Sequence, residues 1–336
     1  MIISKAPLRL GLSGGGTDLA PFCFENEGKV LNITINQYAY TTIEKSNNVF
    51  FESLDLGISE TLKETKKLKL HKETYIYFME HYNNNKNINI SVKTLCEAER
   101  GSGLGSSSTI VVSMVKAYDK LLSIGLDNYQ ISEIAYHIER NICKFDGGYQ
   151  DQYAAAFGGL NYLEFKKEGY VIVNQLKCKQ EILDELESMM ILYFCGISRE
   201  SENIIKSQKK EIKSKKSSYN AMKKLINESE KFKDCLLKGD INHLLKVFER
   251  GWELKKKTSS LVSNKKIEEA FNLAFDEGAL CGKVSGAGGG GFILFFCPLD
   301  KKIEIENKLN SLNGKVVKCK FINKGALAWK TKYRKL

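Results

Sequence analysis

The stretch that most constrains this chain is GSGLGSSSTIVV, residues 101–112, where three spaced glycines lead into three consecutive serines and an apolar run. Apolar residues recur at helical spacing from residue 110 to residue 122, which predicts a helix directly after the loop. The start of a helix offers unpaired backbone N–H groups and the positive end of the helix dipole. Glycines let that backbone approach an anion closely, and serine hydroxyls add donors. The stretch therefore favours a phosphate-binding loop over a plain turn capped by serine.

Two further glycine-rich loops lie at 6–19, APLRLGLSGGGTDL, and at 283–292, KVSGAGGGGF. The third loop contains G-x-G-x-x-G, but the strand-like FILFF follows it, whereas a dinucleotide site requires a helix there. No loop carries the G-x-x-x-x-G-K-[ST] pattern of a P-loop. Glycines between two apolar strands instead indicate a place where the backbone lies very close to another group.

Length and residue usage narrow the class of protein. The 336 residues suggest two domains, and no apolar run is long enough to span a membrane. The N-terminal stretch lacks the pattern of a signal peptide. Nine cysteines without a C-x-x-C pair predict reduced thiols, and four histidines form no metal motif. We therefore expect a cytoplasmic protein with no membrane partner.

The net charge of +11 leaves two interpretations open, a nucleic-acid partner or a solvated lysine surface. The lysines are spread through helical segments such as KKEIKSKK, residues 209–216, and no aromatic platform alternates with them. This favours the lysine surface and no nucleic-acid partner. A positive field also raises the local concentration of anionic substrates.

The order of predicted elements favours an α+β fold over a doubly wound sheet, because strands and helices mix without a regular βαβ rhythm. The first third is predicted to be strands, notably 28–45 and 88–95, before helices at 110–122 and 131–145. The second half predicts a buried strand at 189–196, long basic helices over 200–280, the strand FILFF, a helix near 300–312 and a last strand, KVVKCKF.

Together the three loops resemble the signature motifs of the GHMP kinase superfamily, which includes galactokinase, homoserine kinase and mevalonate kinase. They occur in the family's order and span residues 6 to 292. The resemblance implies a two-domain α+β fold. A domain like ribosomal protein S5 domain 2 is expected at 1–170, and a ferredoxin-like domain at 171–336. It also implies ATP as co-substrate and Mg²⁺ as metal, with a monomer or a homodimer as the assembly.

The same resemblance implies roles for individual residues. The loop expected to bind the ATP phosphates comprises Gly101, Ser102, Gly103, Leu104, Gly105, Ser106, Ser107 and Ser108. Ser107 and Glu139, in HIERN, match the metal-binding serine and glutamate, and oxygen ligands suit Mg²⁺. Asp151, in GGYQDQYAAAFGG, matches the catalytic aspartate, although a helix N-cap is the alternative interpretation of that carboxylate. Arg9 matches the basic residue of the first motif and would hold Asp151 ionised.

The first loop carries the expected acceptor site. Its Thr-Asp pair points to a sugar, because an aspartate accepts hydrogen bonds from neighbouring hydroxyls. RLGLSGGGTDL resembles most closely the D-glycero-D-manno-heptose 7-phosphate kinases, which implies transfer to the anomeric hydroxyl and a 1,7-bisphosphate product. A fucokinase- or galactokinase-type enzyme for an unphosphorylated sugar is the alternative, and a non-catalytic ligand- or RNA-binding protein is a remote one. The residues assigned to this site are Ser13, Gly14, Gly15, Gly16, Thr17, Asp18, Gly288, Gly289 and, as anchor for a substrate phosphate, Arg199, with Lys283 as a second candidate.

Overall fold

A computed structural model of the protein describes residues 1–98, 101–196 and 201–332. Its strands are β1 Ile2–Ser13, β2 Lys29–Lys45, β3 Phe50–Ser53, β4 Ile58–Thr61, β5 Ile90–Cys96, β6 Leu160–Phe165, β7 Val171–Gln175, β8 Met190–Phe194, β9 Cys281–Val284, β10 Phe292–Phe296, β11 Lys315–Val316 and β12 Leu327–Lys330. Its helices are α1 Phe22–Glu25, α2 Lys69–Tyr82, α3 Ser106–Leu122, α4 Asn128–Tyr136, α5 Gln150–Phe157, α6 Gln180–Met189, α7 Ser201–Ser214, α8 Lys216–Lys238, α9 Ile241–Lys256, α10 Lys265–Asp276 and α11 Lys302–Asn310. A π-helical turn, His137–Ile142, continues α4.

The first sheet has eight strands, with β12-β1-β2-β5-β3-β4 as its main path and β6 and β7 joined to β2. The long strand β2 organises it, because β2 pairs with β1 on one side and with β5 and β6 on the other. Helix α3 packs against β1 and β2 and buries most of its side chains, as its apolar spacing predicts.

The second sheet contains four antiparallel strands in the order β11-β8-β10-β9. Numbered along the chain, this is the order 4-1-3-2 of a ferredoxin-like domain, so the predicted fold class is confirmed. Every residue of the strand FILFF is buried between its neighbours. Helices α7 to α10 connect β8 to β9, and α8, α9 and α10 are amphipathic.

The two halves of the chain share one hydrophobic core. It contains Leu8 of β1 and Ile33 of β2 from the first sheet, and Leu192 of β8 and Leu294 of β10 from the second. Phe248 of α9 belongs to the same core. The first and third glycine loops, which adjoin β1 and β10, are therefore supported by one continuous hydrophobic core.

The C-terminal segment also ties the halves together. Strand β12 returns from the second half to pair with β1, with Ile2 opposite Lys330. The domain boundary near residue 170 stays a prediction. Strand β7, which begins at Val171, pairs with β6 in the first sheet.

Three predicted elements differ from the structure. The first third, predicted as strands, contains helix α2, whose aromatic residues favour a strand by composition although its buried Leu70, Thr74 and Phe78 follow helical spacing. The helix predicted over 131–145 changes to a π-helical turn at His137. The last predicted strand is only Lys315–Val316 long, because β11 pairs with the end of β8 alone. Within the described residues, no helix combines the length and the apolar character needed to span a membrane.

Candidate active site

The second and third glycine loops pack directly against each other. A Cβ on Gly103 would lie 2.4 Å from the carbonyl oxygen of Ser285, and one on Gly286 would lie 2.7 Å from the Cα of Gly103. Both glycines have positive φ angles, +82° and +78°, which side chains disfavour. The two backbones therefore meet at a distance that only glycine permits.

Two cations connect the first loop to the contact between the second and third loops. The Arg9 guanidinium, on β1, donates from Nη1 to the carbonyl oxygen of Gly103 at 2.7 Å. The Lys255 ammonium, near the end of α9, donates to the carbonyl oxygens of Gly15 at 3.2 Å and Gly286 at 2.7 Å. All three loops thus converge, although they are far apart in sequence.

Asp151 lies in the first turn of α5 and forms an ion pair with Arg9. Arg9 Nε donates to Asp151 Oδ1 at 2.7 Å, and Arg9 Nη2 lies 2.6 Å from the same oxygen. The Arg9 side chain is 3 % exposed and that of Asp151 is 20 % exposed, so the carboxylate retains access to a ligand. A Cβ on Gly105 would lie 3.0 Å from Asp151 Cγ, which places this acid against the predicted phosphate loop.

Glu139 is held at the other side of that loop. Its carboxylate is almost fully buried and accepts hydrogen bonds from Ser108 Oγ and Gln152 Nε2, both at 2.7 Å. Arg140 Nη1 lies 3.2 Å from Glu139 Oε1. The π-helical turn carries both Glu139 and Arg140, and such turns are frequent at functional sites.

One cavity collects these groups. The predicted residues on its wall are Arg9, Gly16, Asp18, Gly101, Gly103, Gly105, Ser106, Ser107, Ser108, Glu139 and Asp151. Ser102 and Leu104 are buried while Gly101, Gly103 and Gly105 are partly exposed. This alternation directs the glycine backbone toward the cavity and the intervening side chains into the protein.

Most residues of the first loop lie behind the cavity wall and not on its surface. Ser13, Gly14, Gly15 and Thr17 do not line it. The Thr17 hydroxyl lies 2.8 Å from the carbonyl oxygen of Gly14 and 2.9 Å from that of Lys29, and it accepts a hydrogen bond from the Lys29 N–H. These backbone partners give Thr17 a supporting position in this structure, and the direct sugar contact stays a prediction.

Gly288 and Gly289 also lie away from the cavity wall. The Gly289 N–H donates to the carbonyl oxygen of Val262 at 2.8 Å, and a Cβ on Gly288 would lie 2.6 Å from that oxygen. These contacts pack the third loop against the segment after α9. Lys283 donates to the carbonyl oxygen of Leu12, is buried, and does not line the cavity. Arg199 lies outside the described residues.

Asp18 is oriented by neutral donors. Its carboxylate accepts hydrogen bonds from the Gly16 N–H at 3.0 Å and from the Gln150 N–H at 3.2 Å. Gln150 Nε2 adds a contact of 3.3 Å to Asp18 Oδ1. No side chain could be added at Gly148, because a Cβ there would lie 1.9 Å from Asp18 Oδ2.

Lys255 and Arg140 are charged cavity residues that the sequence reasoning missed. Lys255 lies in the run ELKKK, which favours a solvated surface. The signal that identifies it is helical spacing, because Phe248, Trp252 and Lys255 share the buried face of α9. Burial lowers the pKa of Lys255 to about 8, while the nearby Asp18 carboxylate opposes that shift.

Comparison with known proteins identifies the family of this chain. The model of the GHMP kinases N terminal domain matches residues 69–159, and that of the GHMP kinases C terminal domain matches residues 232–315. A D-glycero-alpha-D-manno-heptose 7-phosphate kinase of Campylobacter jejuni is 38% identical over 98% of this chain and 99% of its own length. The chain belongs to the GHMP kinase family.

Solved structures support the same assignment. A crystal structure described as a D-glycero-D-manno-heptose 1-phosphate kinase, from Bacteroides thetaiotaomicron, matches with a TM-score of 0.82 and 38% identity, over 99% of this chain and 100% of that one. Among protein sequences, an L-fucokinase/L-fucose-1-P guanylyltransferase of Bacteroides fragilis is 22% identical over 87% of this chain. The matched region makes up 34% of that longer protein. This GHMP kinase is a phosphotransferase with an alcohol group as acceptor.

Proposed function

We propose that this GHMP kinase transfers the γ-phosphoryl group of ATP to the anomeric hydroxyl of D-glycero-D-manno-heptose 7-phosphate and releases the 1,7-bisphosphate. The observation that carries the chemistry is the Arg9–Asp151 pair, which lies against Gly105 at the junction of the glycine loops. Phosphoryl transfer needs charge stabilisation on the phosphates, a positioned hydroxyl and an acceptor for its proton.

The ATP phosphates are assigned to the second loop. Helix α3 begins at Ser106 and points its N-terminus at the cavity, where Gly101, Gly103 and Gly105 leave the backbone accessible. Unpaired N–H groups and the helix dipole both favour an anion there. Arg140, which also lines the cavity, adds a positive charge.

The oxygen donors beside this loop fit Mg²⁺. Ser107, Ser108 and Glu139 line the same cavity, and Mg²⁺ commonly binds one or two carboxylates together with substrate phosphates. No group of three acidic, histidine or cysteine side chains suited to a metal occurs in the described ranges, so the protein alone offers few ligands. When bound, the ion neutralises charge on the phosphates; Ser107 and Glu139 are the residues proposed to hold it.

Asp151 is assigned as the base. The acceptor hydroxyl loses its proton to the Asp151 carboxylate as its oxygen attacks the γ-phosphorus and the bond to the ADP oxygen breaks. Arg9 keeps that carboxylate in place through two contacts to Oδ1. Asp18, fixed by Gln150, faces the cavity and can accept hydrogen bonds from sugar hydroxyls.

The substrate assignment is supported by the Campylobacter jejuni relative, whose name specifies a heptose 7-phosphate. The Bacteroides thetaiotaomicron structure is named for a heptose 1-phosphate, so the two names place the phosphate at opposite ends of the sugar. The fucokinase relative supports an unphosphorylated sugar as a second candidate. ATP and the sugar phosphate are small-molecule partners that we place in the cytoplasm.

A sugar panel tests the proposal. Purified enzyme, ATP and Mg²⁺ are incubated with heptose 7-phosphate, heptose 1-phosphate, unphosphorylated heptose, fucose or galactose, and ADP release is measured. We expect the highest kcat/KM with heptose 7-phosphate, and a phosphorus NMR spectrum of the product with one signal coupled to the anomeric proton. Preference for fucose or galactose would replace the heptose assignment with the second candidate.

The predicted phosphate anchor has its own measurement. Arg199→Ala is expected to raise KM for the sugar 7-phosphate while leaving KM for ATP unchanged, because a guanidinium suits a phosphate monoester. An unchanged KM for the sugar phosphate removes Arg199 from the site.

A further inference from the structure

Lys255 is a buried cation that forms no ion pair within the part of the chain that the structure describes. The residue is 4 % exposed, and its ammonium contacts two carbonyl oxygens, those of Gly15 and Gly286. None of the carboxylates in the described part of the chain forms a hydrogen bond or an ion pair with it. Burying an ammonium without a paired anion is costly, so its presence calls for an explanation.

The donor count leaves one hydrogen for a ligand. A lysine ammonium has three N–H donors, and two of them are used by the carbonyl oxygens of Gly15 and Gly286. No acceptor for the third is found among the described residues, yet Lys255 lies on the cavity wall. The charges around it are Asp18 on the first loop, Arg9 on β1, Asp151 on α5 and Lys283 on β9.

Those surroundings indicate an anionic ligand. Arg9 and Asp151 pair with each other. The Asp18 carboxylate attracts the Lys255 ammonium from a distance, but its hydrogen bonds come from the N–H groups of Gly16 and Gln150 and not from Lys255. The third N–H donor of Lys255 therefore remains available for an anion at the point where the first loop meets the third loop. Since the second loop packs on Gly286, this position lies beside the proposed phosphate loop as well.

We propose that Lys255 is a phosphoryl-binding residue, whose third N–H donates to an anionic phosphoryl oxygen at the junction of the three loops. The inference rests on the proposed function. The oxygen belongs either to the phosphoryl group in transfer or to the phosphate of the acceptor sugar, and the kinetic parameters distinguish these sources.

The test compares Lys255→Met with Lys256→Met. Lys256 is the adjacent residue of α9, but its ammonium pairs with Glu253 at 2.8 Å and it does not line the cavity. Lys255→Met is expected to lower kcat/KM by on the order of 10²–10³, the loss typical of removing one donor to a developing charge. Lys256→Met should retain wild-type parameters.

The kinetic parameter that changes in Lys255→Met, kcat or KM, identifies the source of the phosphoryl oxygen. A fall in kcat with unchanged KM values identifies the transferred phosphoryl group. A rise in KM confined to phosphorylated acceptors identifies the acceptor's phosphate. The inference is overturned if the folded Lys255→Met enzyme has wild-type kcat and KM values. It is also overturned if the KM values for both substrates rise equally and the Tm of the variant is lowered.

A second measurement uses the wild-type enzyme, in case Lys255→Met fails to fold. Its kcat/KM should fall as the pH rises through about 8, because the ammonium loses its proton there and the pKa of Lys255 lies near that value. A flat profile between about pH 7 and pH 9.5 contradicts the inference. Failure of the proposed function is recognised separately, because the wild-type enzyme would then release no ADP with heptose 7-phosphate.

Discussion

Gly103→Ala tests whether the contact between the second and third loops builds the site. The added Cβ would lie 2.4 Å from the Ser285 carbonyl oxygen, whereas ordinary contacts begin at 3.4 Å. The loops must therefore separate by about 1 Å, the difference between those two distances. Gly103 also has φ +82°, a conformation that costs a non-glycine residue about 1–2 kcal/mol.

The separation also stretches hydrogen bonds. The Gly103 carbonyl oxygen accepts from Arg9 Nη1 at 2.7 Å and from Ser285 Oγ at 3.0 Å. Weakening both bonds adds roughly 1–3 kcal/mol. We expect Gly103→Ala to lower the free energy of unfolding by about 2–5 kcal/mol. A displacement of about 1 Å at the reacting groups should lower kcat/KM by about 10²-fold.

Gly125→Ala is the matched control. Gly125 has φ +87°, close to that of Gly103, but nothing lies within 4 Å of its added Cβ. Gly125→Ala should lower the free energy of unfolding only by the conformational cost of about 1–2 kcal/mol, and it should keep its activity. Urea unfolding measures the stability of both variants, and ADP release measures their turnover. Equal losses in the two variants would refute the view that the loop contact, rather than the φ angle, matters.

Three further predictions address charged groups. Asp151→Asn should lower kcat by on the order of 10²–10⁴, measured by ADP release at saturating substrates, and near wild-type turnover would exclude Asp151 as the base. Glu139→Gln should raise the Mg²⁺ concentration needed for half-maximal activity, and an unchanged Mg²⁺ titration would exclude this carboxylate as a ligand. The third prediction concerns stability. Because burial lowers the pKa of Lys255 from 10.5 to about 8, the unfolded chain binds this proton more tightly than the folded one between those pH values. The unfolding free energy of the wild type should therefore rise relative to Lys255→Met by about 3 kcal/mol between roughly pH 7 and pH 10.5, and a constant difference would contradict the shift.

Local patterns were sufficient for the elements that bear on the phosphate loop. The apolar spacing after Ser108 specifies α3, and the glycines at 286–291 specify a close approach of backbone, which the structure places at Gly103. Both features depend on neighbouring residues alone. The choice of fold class succeeded for the same reason, since it needed only the order of strands and helices.

Features that depend on distant partners could not be predicted this way. The Thr17 hydroxyl bonds the backbone of Lys29, which no local pattern connects to it, and its contact with the sugar stays a prediction. The charge run containing Lys255 favours solvent, whereas its spacing from Phe248 and Trp252 places it on the buried face of α9. Its contact with the glycine loops depends on residues far away in sequence. Helix α2 shows a different conflict, because its aromatic composition favours a strand while its spacing favours a helix.

Strand β1, which carries Arg9, is enclosed between β2 and β12, the latter formed by residues 327–330. During translation β1 leaves the ribosome long before its partner β12, because residues 14–326 lie between the two strands. Until then one edge of β1 stays open to pairing with another nascent chain. The arginine that pairs with the proposed base therefore sits on a strand that is exposed to misassembly while the polypeptide is being made.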